Sequence, residues 1–394
     1  MRLLLLLLLL VGCRPQAPAP PPLPVAQFSG ISEGTRMAQR LVGLGVGVVV
    51  DGRVAYLGGF GEADHEAGQP FDPQTSRVRW ASLSKSLTGV LAARLHEQGR
   101  LDLDAPLDRL WPAYKTPTKR LLNGAPIDVE PPLITLRMTL RHLAGFPSYE
   151  DFNEDPTPSL ARRHDPKVNT GFLWALADWA DAPLQHPPNT AFHYTTLGYN
   201  LAGAAIGGAV AEEGEAPDVA YFRAVREMLA GTPAAGIRPD THLSPAPDRA
   251  QGYALLDSMG IAISRDQDVS WKAPGGGFLS TTQELAEFCA LLVGDGLVGD
   301  VGKSELWATP VLPNGESSYY ALGFGVSRAS GQLRVEHNGG QEKARTRLVA
   351  YPDEGLCFVA MTNTETASSR FPIDLTPLTE QLEEALRGSR RQEG

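Results

Sequence analysis

Cysteine is scarce in this sequence, three among 394 residues, which excludes the bridge-dense framework of small secreted domains. A chain of this length can instead bury a core of its own, as two or three compact units or as one large fold with an inserted lobe. Lysine is scarce too, seven of the 35 basic residues, so each lysine is more informative than usual. Acidic residues outnumber basic ones, 45 to 35, for a net charge of -10. No basic run offsets them, and nucleic-acid binding is not expected from a chain whose field repels phosphate backbones. The eight histidines include no HExxH and no close pair, so no metal site is expected. Gly302-Lys303-Ser304 ends like a phosphate-binding loop, but Leu297 stands where the upstream glycine is required. Gly43, Gly45 and Gly47 fall inside a strand-like run, where a dinucleotide fingerprint would have to open a helix. No cofactor is expected.

The amino terminus reads as an address. Met1-Arg2 precedes nine apolar residues, Leu3 to Val11, too few to cross a bilayer, which takes about 20 in a helix. A positive start, a short apolar run and a small residue before a cut site describe a secretory signal. Leu10-Val11-Gly12-Cys13 resembles a bacterial lipobox, which would make Cys13 the lipidated first residue of the mature chain. The Pro-rich tract from Arg14 to Pro24 then forms a semi-rigid spacer. The expectation is a lipoprotein of the cell envelope, held to the membrane at Cys13. Cys289, on the apolar face of a predicted helix with Leu285, Phe288 and Leu292, and Cys357, in the strand-like run Leu356 to Met361, read as small core hydrophobes with free thiols.

Three regions follow residues 1–25. Leu41 to Asp51 and Arg53 to Phe60 are apolar and flank Asp51-Gly52, a hairpin signal. Leu83, Leu87, Val90, Leu91 and Leu95 have helical spacing, ended by Gly99. From 111 to 269 the chain is rich in proline and loop signals, with helical stretches at Thr170–Trp179, Thr196–Glu212 and Ala220–Leu229 and no convincing strand alternation. Thr281 and Glu284 form a capping box ahead of a helix through Leu292. Strands are expected at Tyr320–Ser327, Leu333–His337, Arg345–Tyr351 and Leu356–Thr362, with Thr376 capping a terminal helix. These elements give an α/β (α+β) fold: an antiparallel sheet from 26–110 and 270–388, flanked by helices, with a mostly helical domain, 111–269, inserted between.

One constellation carries chemistry. Ser82 and Lys85 stand three apart where the strongest helix begins, on one face, near backbone N–H groups and the positive end of the helix dipole. A lysine there can accept the serine proton if burial or a cationic neighbour depresses its pKa by about three units. Further on come Tyr194-Thr195-Thr196, then Gly275-Gly276-Gly277, then His337-Asn338-Gly339-Gly340 at a strand end.

In this order and spacing the motifs resemble the serine β-lactamase-like and penicillin-binding family, especially its class C, esterase and D-alanyl carboxypeptidase branches, from about Leu41 to Thr362. Leu140-Arg141-His142-Leu143 matches more loosely. The resemblance implies a β-lactamase/transpeptidase-like fold, Ser82 as the acylated nucleophile, Lys85 as its proton partner and Tyr194 as the group that protonates the leaving atom. It implies an oxyanion hole from the N–H groups of Ser82 and Gly340, with Thr196, His337, Asn338 and Gly339 lining the substrate. The triple glycine is expected to serve packing. Two departures stand out: Thr196 replaces the family's asparagine, and His337 replaces lysine, which removes a fixed positive charge. The function so implied is a serine hydrolase acting on small-molecule or peptide esters or amides, with D-amino-acid peptides of the peptidoglycan type as one substrate class. The alternatives are a non-catalytic penicillin-binding or sensor protein and a β-lactamase.

Overall fold

The hairpin signalled by Asp51-Gly52 forms two neighbouring strands of a seven-stranded antiparallel sheet in the computed structural model, which describes residues 23–152, 171–240, 248–257, 260–265, 267–329, 331–366 and 372–392. The strands are β1 (Gly43–Val50), β2 (Arg53–Asp64), β3 (Gln69–Pro70), β4 (Gly325–Ala329), β5 (Gln332–Gln341), β6 (Ala344–Tyr351) and β7 (Leu356–Thr362), and they lie in the order β4-β5-β6-β7-β1-β2-β3. Asp51 and Gly52 both take positive φ, 51° and 68°, as the tight turn between right-twisted strands requires. Both ends of the chain therefore build one sheet. Cys13 and the leader lie outside the described residues.

Strict alternation gives this sheet two apolar faces. Leu44, Val46 and Val48 of β1 and Leu356, Phe358 and Ala360 of β7 point to one face, covered by α1 (Val25–Ala38) and α6 (Thr376–Gln392) through Phe28, Leu378, Leu382 and Leu386. Cys357, Val359 and Met361 point to the other, under α2 (Ser84–Glu97) and α5 (Thr282–Val293). Gly45 and Gly47 let α5 lie close: a Cβ on Gly45 would come within 2.0 Å of Thr282 Oγ1. Between β3 and β4 the chain makes the mostly helical region, with α3 (Thr196–Val210) and α4 (Pro217–Leu229) at its centre.

The fold meets the expected class, with four differences in detail. The cysteines are not free thiols: Cys289 on α5 and Cys357 on β7 form a disulfide with a Cα–Cα separation of 6.3 Å. Each lies on the face of its element that turns toward the other, and that juxtaposition is tertiary information the sequence pattern does not carry. Helix α1 was unexpected because Gly30 and Gly34 and a sparse apolar face give little periodic signal. The inserted region also holds a hairpin, Lys119–Leu122 with Ala125–Asp128, turned by Asn123-Gly124. Asp374 rather than Thr376 caps α6, accepting the Thr376 N–H at 2.8 Å. Two boundaries shift as well: Tyr320–Phe324 turns at Gly323, so β4 starts later than expected, and β5 runs on through His337 to Gln341. Among the described residues no helix is long and apolar enough to cross a membrane.

Candidate active site

Strand pairing puts the nucleophile where the two regions meet. Val78–Arg79 pairs with Phe278–Ser280, and Trp80 N–H donates to the Phe278 carbonyl at 2.7 Å. The chain then turns through a short 3-10 segment, Ala81–Leu83, into α2. Ala81 holds φ at 49°, a left-handed conformation that costs a non-glycine residue about 1–3 kcal/mol and that packing must sustain. Strand β5 supplies some of that packing. A Cβ on Gly339 would lie 2.1 Å from the Trp80 carbonyl oxygen, so only glycine lets the strand approach the turn, and Thr346 Oγ1 of β6 donates to the same carbonyl at 2.8 Å. Ser82 thus sits on a pinned turn beside the Gly339-Gly340 backbone.

Lys85 is fully buried, with Nζ 3.2 Å from Ser82 Oγ, 2.9 Å from Thr196 Oγ1 and 2.8 Å from the Gly275 carbonyl oxygen. Desolvation, and secondarily the charge of Lys272, hold its pKa well below the ordinary lysine value. A neutral amine has two N–H donors and one lone pair. In that neutral form, with the two donors directed at Thr196 and Gly275, the lone pair would face the Ser82 hydroxyl, the orientation a general base needs. The triple glycine therefore does more than pack: Gly275 supplies an acceptor, and a Cβ on it would come within 2.8 Å of the Thr196 side chain. The asparagine-to-threonine departure keeps the lysine contact.

Tyr194 reaches the same serine from the start of α3. Its ring centroid is 4.8 Å from Lys85 Nζ. Burial of the phenol end raises its pKa, partly offset by a hydrogen bond with Ser82, so Tyr194 keeps its proton at neutral pH. Burial thus favours the neutral form of both groups, an amine that can take a proton and a phenol that can give one.

One residue with only a loose motif match holds Tyr194 in place. His142, buried and itself in a left-handed conformation with φ at 59°, accepts the His193 N–H on its carbonyl at 2.9 Å and the Thr195 N–H on Nδ1 at 3.1 Å. Its ring packs on the Tyr194 ring with centroids 4.4 Å apart. The residues on either side of Tyr194 and the phenol ring itself are gripped by one side chain and its backbone. Burial is the main cause that lowers the His142 pKa, and a neutral ring that accepts on Nδ1 carries its proton on Nε2.

His337 lies on the site face of β5. Its Nε2 is 2.9 Å from the Tyr320 hydroxyl and its Nδ1 2.6 Å from the Asn338 carbonyl oxygen. Burial is the main cause that pushes its pKa down to about 3, so this position carries no charge at neutral pH. Asn338 turns to the opposite face, where its Oδ1 accepts from Arg347 Nη1 at 2.6 Å. Ser82, Lys85, Tyr194, Thr196, His337 and the Gly339-Gly340 backbone converge; the Asn338 amide oxygen is committed elsewhere. Among the described residues no group of histidine, cysteine or carboxylate side chains could hold a metal ion.

A pinned serine turn, a buried lysine one turn on and a tyrosine from an inserted helical lobe define the β-lactamase/transpeptidase class of α/β proteins. The chain belongs to the beta-lactamase family, whose model matches residues 32–381. It is 27% identical to the human mitochondrial serine beta-lactamase-like protein LACTB over 91% of this chain and 77% of that one. It is 32% identical to esterase EstB of Burkholderia gladioli over 30% of this chain and 28% of the esterase. Its fold matches D-amino acid amidase from Ochrobactrum anthropi, with a TM-score of 0.71 at 20% identity, covering 93% of this chain and 99% of the amidase. The octameric penicillin-binding protein homologue from Pyrococcus abyssi gives 0.70 at 20% identity, over 93% and 78% of the two chains. The chain is a member of a family of serine hydrolases with this fold.

Proposed function

We propose that this protein hydrolyses an ester or amide bond through an acyl-Ser82 intermediate. The observation that carries the reading is the fully buried Lys85, with Nζ shared between Ser82 Oγ, Thr196 Oγ1 and the Gly275 carbonyl. Ser82 Oγ bonds to the substrate carbonyl carbon while its proton passes to Lys85. The N–H groups of Ser82 and Gly340 receive the carbonyl oxygen as it gains charge, each donor worth roughly 10²- to 10³-fold in rate. The bond to the leaving group breaks as Tyr194 gives that group a proton, and Lys85 returns a proton to Tyr194. Water then attacks the acyl-serine, releasing the acid and restoring the Ser82 hydroxyl.

The protein acts at the cell envelope as a lipoprotein anchored through Cys13. The Cys289–Cys357 disulfide supports this placement, since such bonds persist in oxidising compartments. A panel of esters, amides and a chromogenic cephalosporin tests the hydrolase reading. The wild type should turn over at least one ester or amide, and Ser82→Ala should lose about 10³-fold or more of that rate. Turnover unchanged by Ser82→Ala would remove the acyl-serine proposal.

A further inference from the structure

A cleft of about 270 Å³ opens beside Tyr194, bordered by Tyr319, Tyr320, Glu336, His337 and Asn338. Tyr194 belongs to both the cleft and the reacting centre, so whatever group it protonates leaves into this space. The volume is ample for an aromatic ring, since benzene occupies an apolar cavity of about 150 Å³. Tyr319 stands 62% exposed at the rim. Its ring centroid is 5.4 Å from that of Phe192 and 6.3 Å from that of Tyr320. A bound ring would meet a wall of phenol and phenyl faces, each such pair worth several-fold in affinity beyond the area buried.

Charge is what the cleft lacks. The Glu336 carboxylate is taken by Arg334, at 3.0 and 2.9 Å, and by Arg347, at 2.7 Å. It has no unpaired charge to offer a cationic group. His337 is neutral, with both ring nitrogens committed to Tyr320 and Asn338. Arg345, beyond Gly340, binds the carbonyls of Gln341 and Ala344 through Nη1 at 2.9 Å each and does not border the space.

We infer that this cleft is the leaving-group subsite and takes an uncharged aromatic, or similarly flat apolar, alcohol or amine rather than a D-amino acid that carries a free carboxylate. The inference rests on the acyl-Ser82 reading and adds a substrate class to it.

The test compares kcat/KM for phenyl acetate and methyl acetate in the wild type, Tyr319→Ala and Tyr319→Phe. The phenyl-to-methyl ratio should fall about 5- to 10-fold in Tyr319→Ala and return in Tyr319→Phe, because the ring and not the hydroxyl makes the contact. Phenyl acetate, 4-carboxyphenyl acetate and 3-(trimethylammonio)phenyl acetate are compared in parallel, each rate divided by that of its alkaline hydrolysis. The uncharged ester should be turned over fastest. Equal losses on phenyl and methyl esters in Tyr319→Ala, or preference for either charged ester, would overturn the subsite while leaving the acyl-serine reading intact. Absence of Ser82-dependent turnover of any of these esters would overturn both.

Discussion

At the scale of single residues the account turns on a lysine whose burial disfavours its charged form. Burying Lys85 beside Ser82 costs stability, because the folded chain binds the lysine proton less tightly than the unfolded one. Its folded pKa lies below the unfolded lysine value, so its penalty shrinks as pH rises toward that value and is fully present once pH falls below the folded one. Lys85→Met should therefore stabilise the protein at neutral pH, by about 0.5–2 kcal/mol, while lowering kcat/KM by about 10²- to 10⁴-fold. Thermal unfolding at several pH values, alongside ester turnover, checks both parts; a less stable variant, or an active one, would contradict the role. The wild-type rate should fall on the acid side as Lys85 takes a proton. Ser82, Lys85 and Tyr194 are legible in the sequence because their residue types and order are tied to chemistry. His142 and the Gly275 carbonyl are far less so: one acts through ring packing and neighbouring backbone N–H groups, the other through a main-chain oxygen any residue possesses. Asn338 shows the reverse failure, since its partner Arg347 lies on a neighbouring strand whose register the sequence does not state.

Elements were legible where local chemistry and tertiary demand agree. Asp51-Gly52 sits between two apolar runs and was readable as a hairpin; Asn123-Gly124 has the same turn chemistry, but the flanking Lys119–Leu122 and Ala125–Asp128 lack a buried alternating face. The capping box at Thr281 and Glu284 is legible because it is wholly local, with Glu284 N–H donating to Thr281 Oγ1 at 3.1 Å and Thr281 N–H to Glu284 Oε2 at 2.9 Å. That helix is tied to the sheet by the Cys289–Cys357 bridge, which closes a separation of 68 residues. Replacing Cys289 with alanine should lower stability by about 2–4 kcal/mol, measured by denaturant unfolding under non-reducing conditions. Dithiothreitol should destabilise the wild type and leave the variant unmoved. A wild type indifferent to reductant would show that the bridge is not formed.

For the whole molecule, the arrangement follows from a sheet assembled by both chain ends and a helical lobe set between them. The lobe brings Tyr194 and Thr196 to a serine more than a hundred residues earlier, while β5 and β6 grip the turn that presents it. Neither the acidic balance nor the length pointed to that meeting; the order of the motifs did. The most direct measurement of the central claim is rapid-quench mass spectrometry during turnover of an aryl ester, with peptide mapping of the trapped protein. The account predicts an acyl group on Ser82 that forms in the wild type, disappears as substrate is exhausted and is absent in Ser82→Ala. An acyl group on any other residue, or turnover with no covalent intermediate while Ser82→Ala stays active, would contradict it.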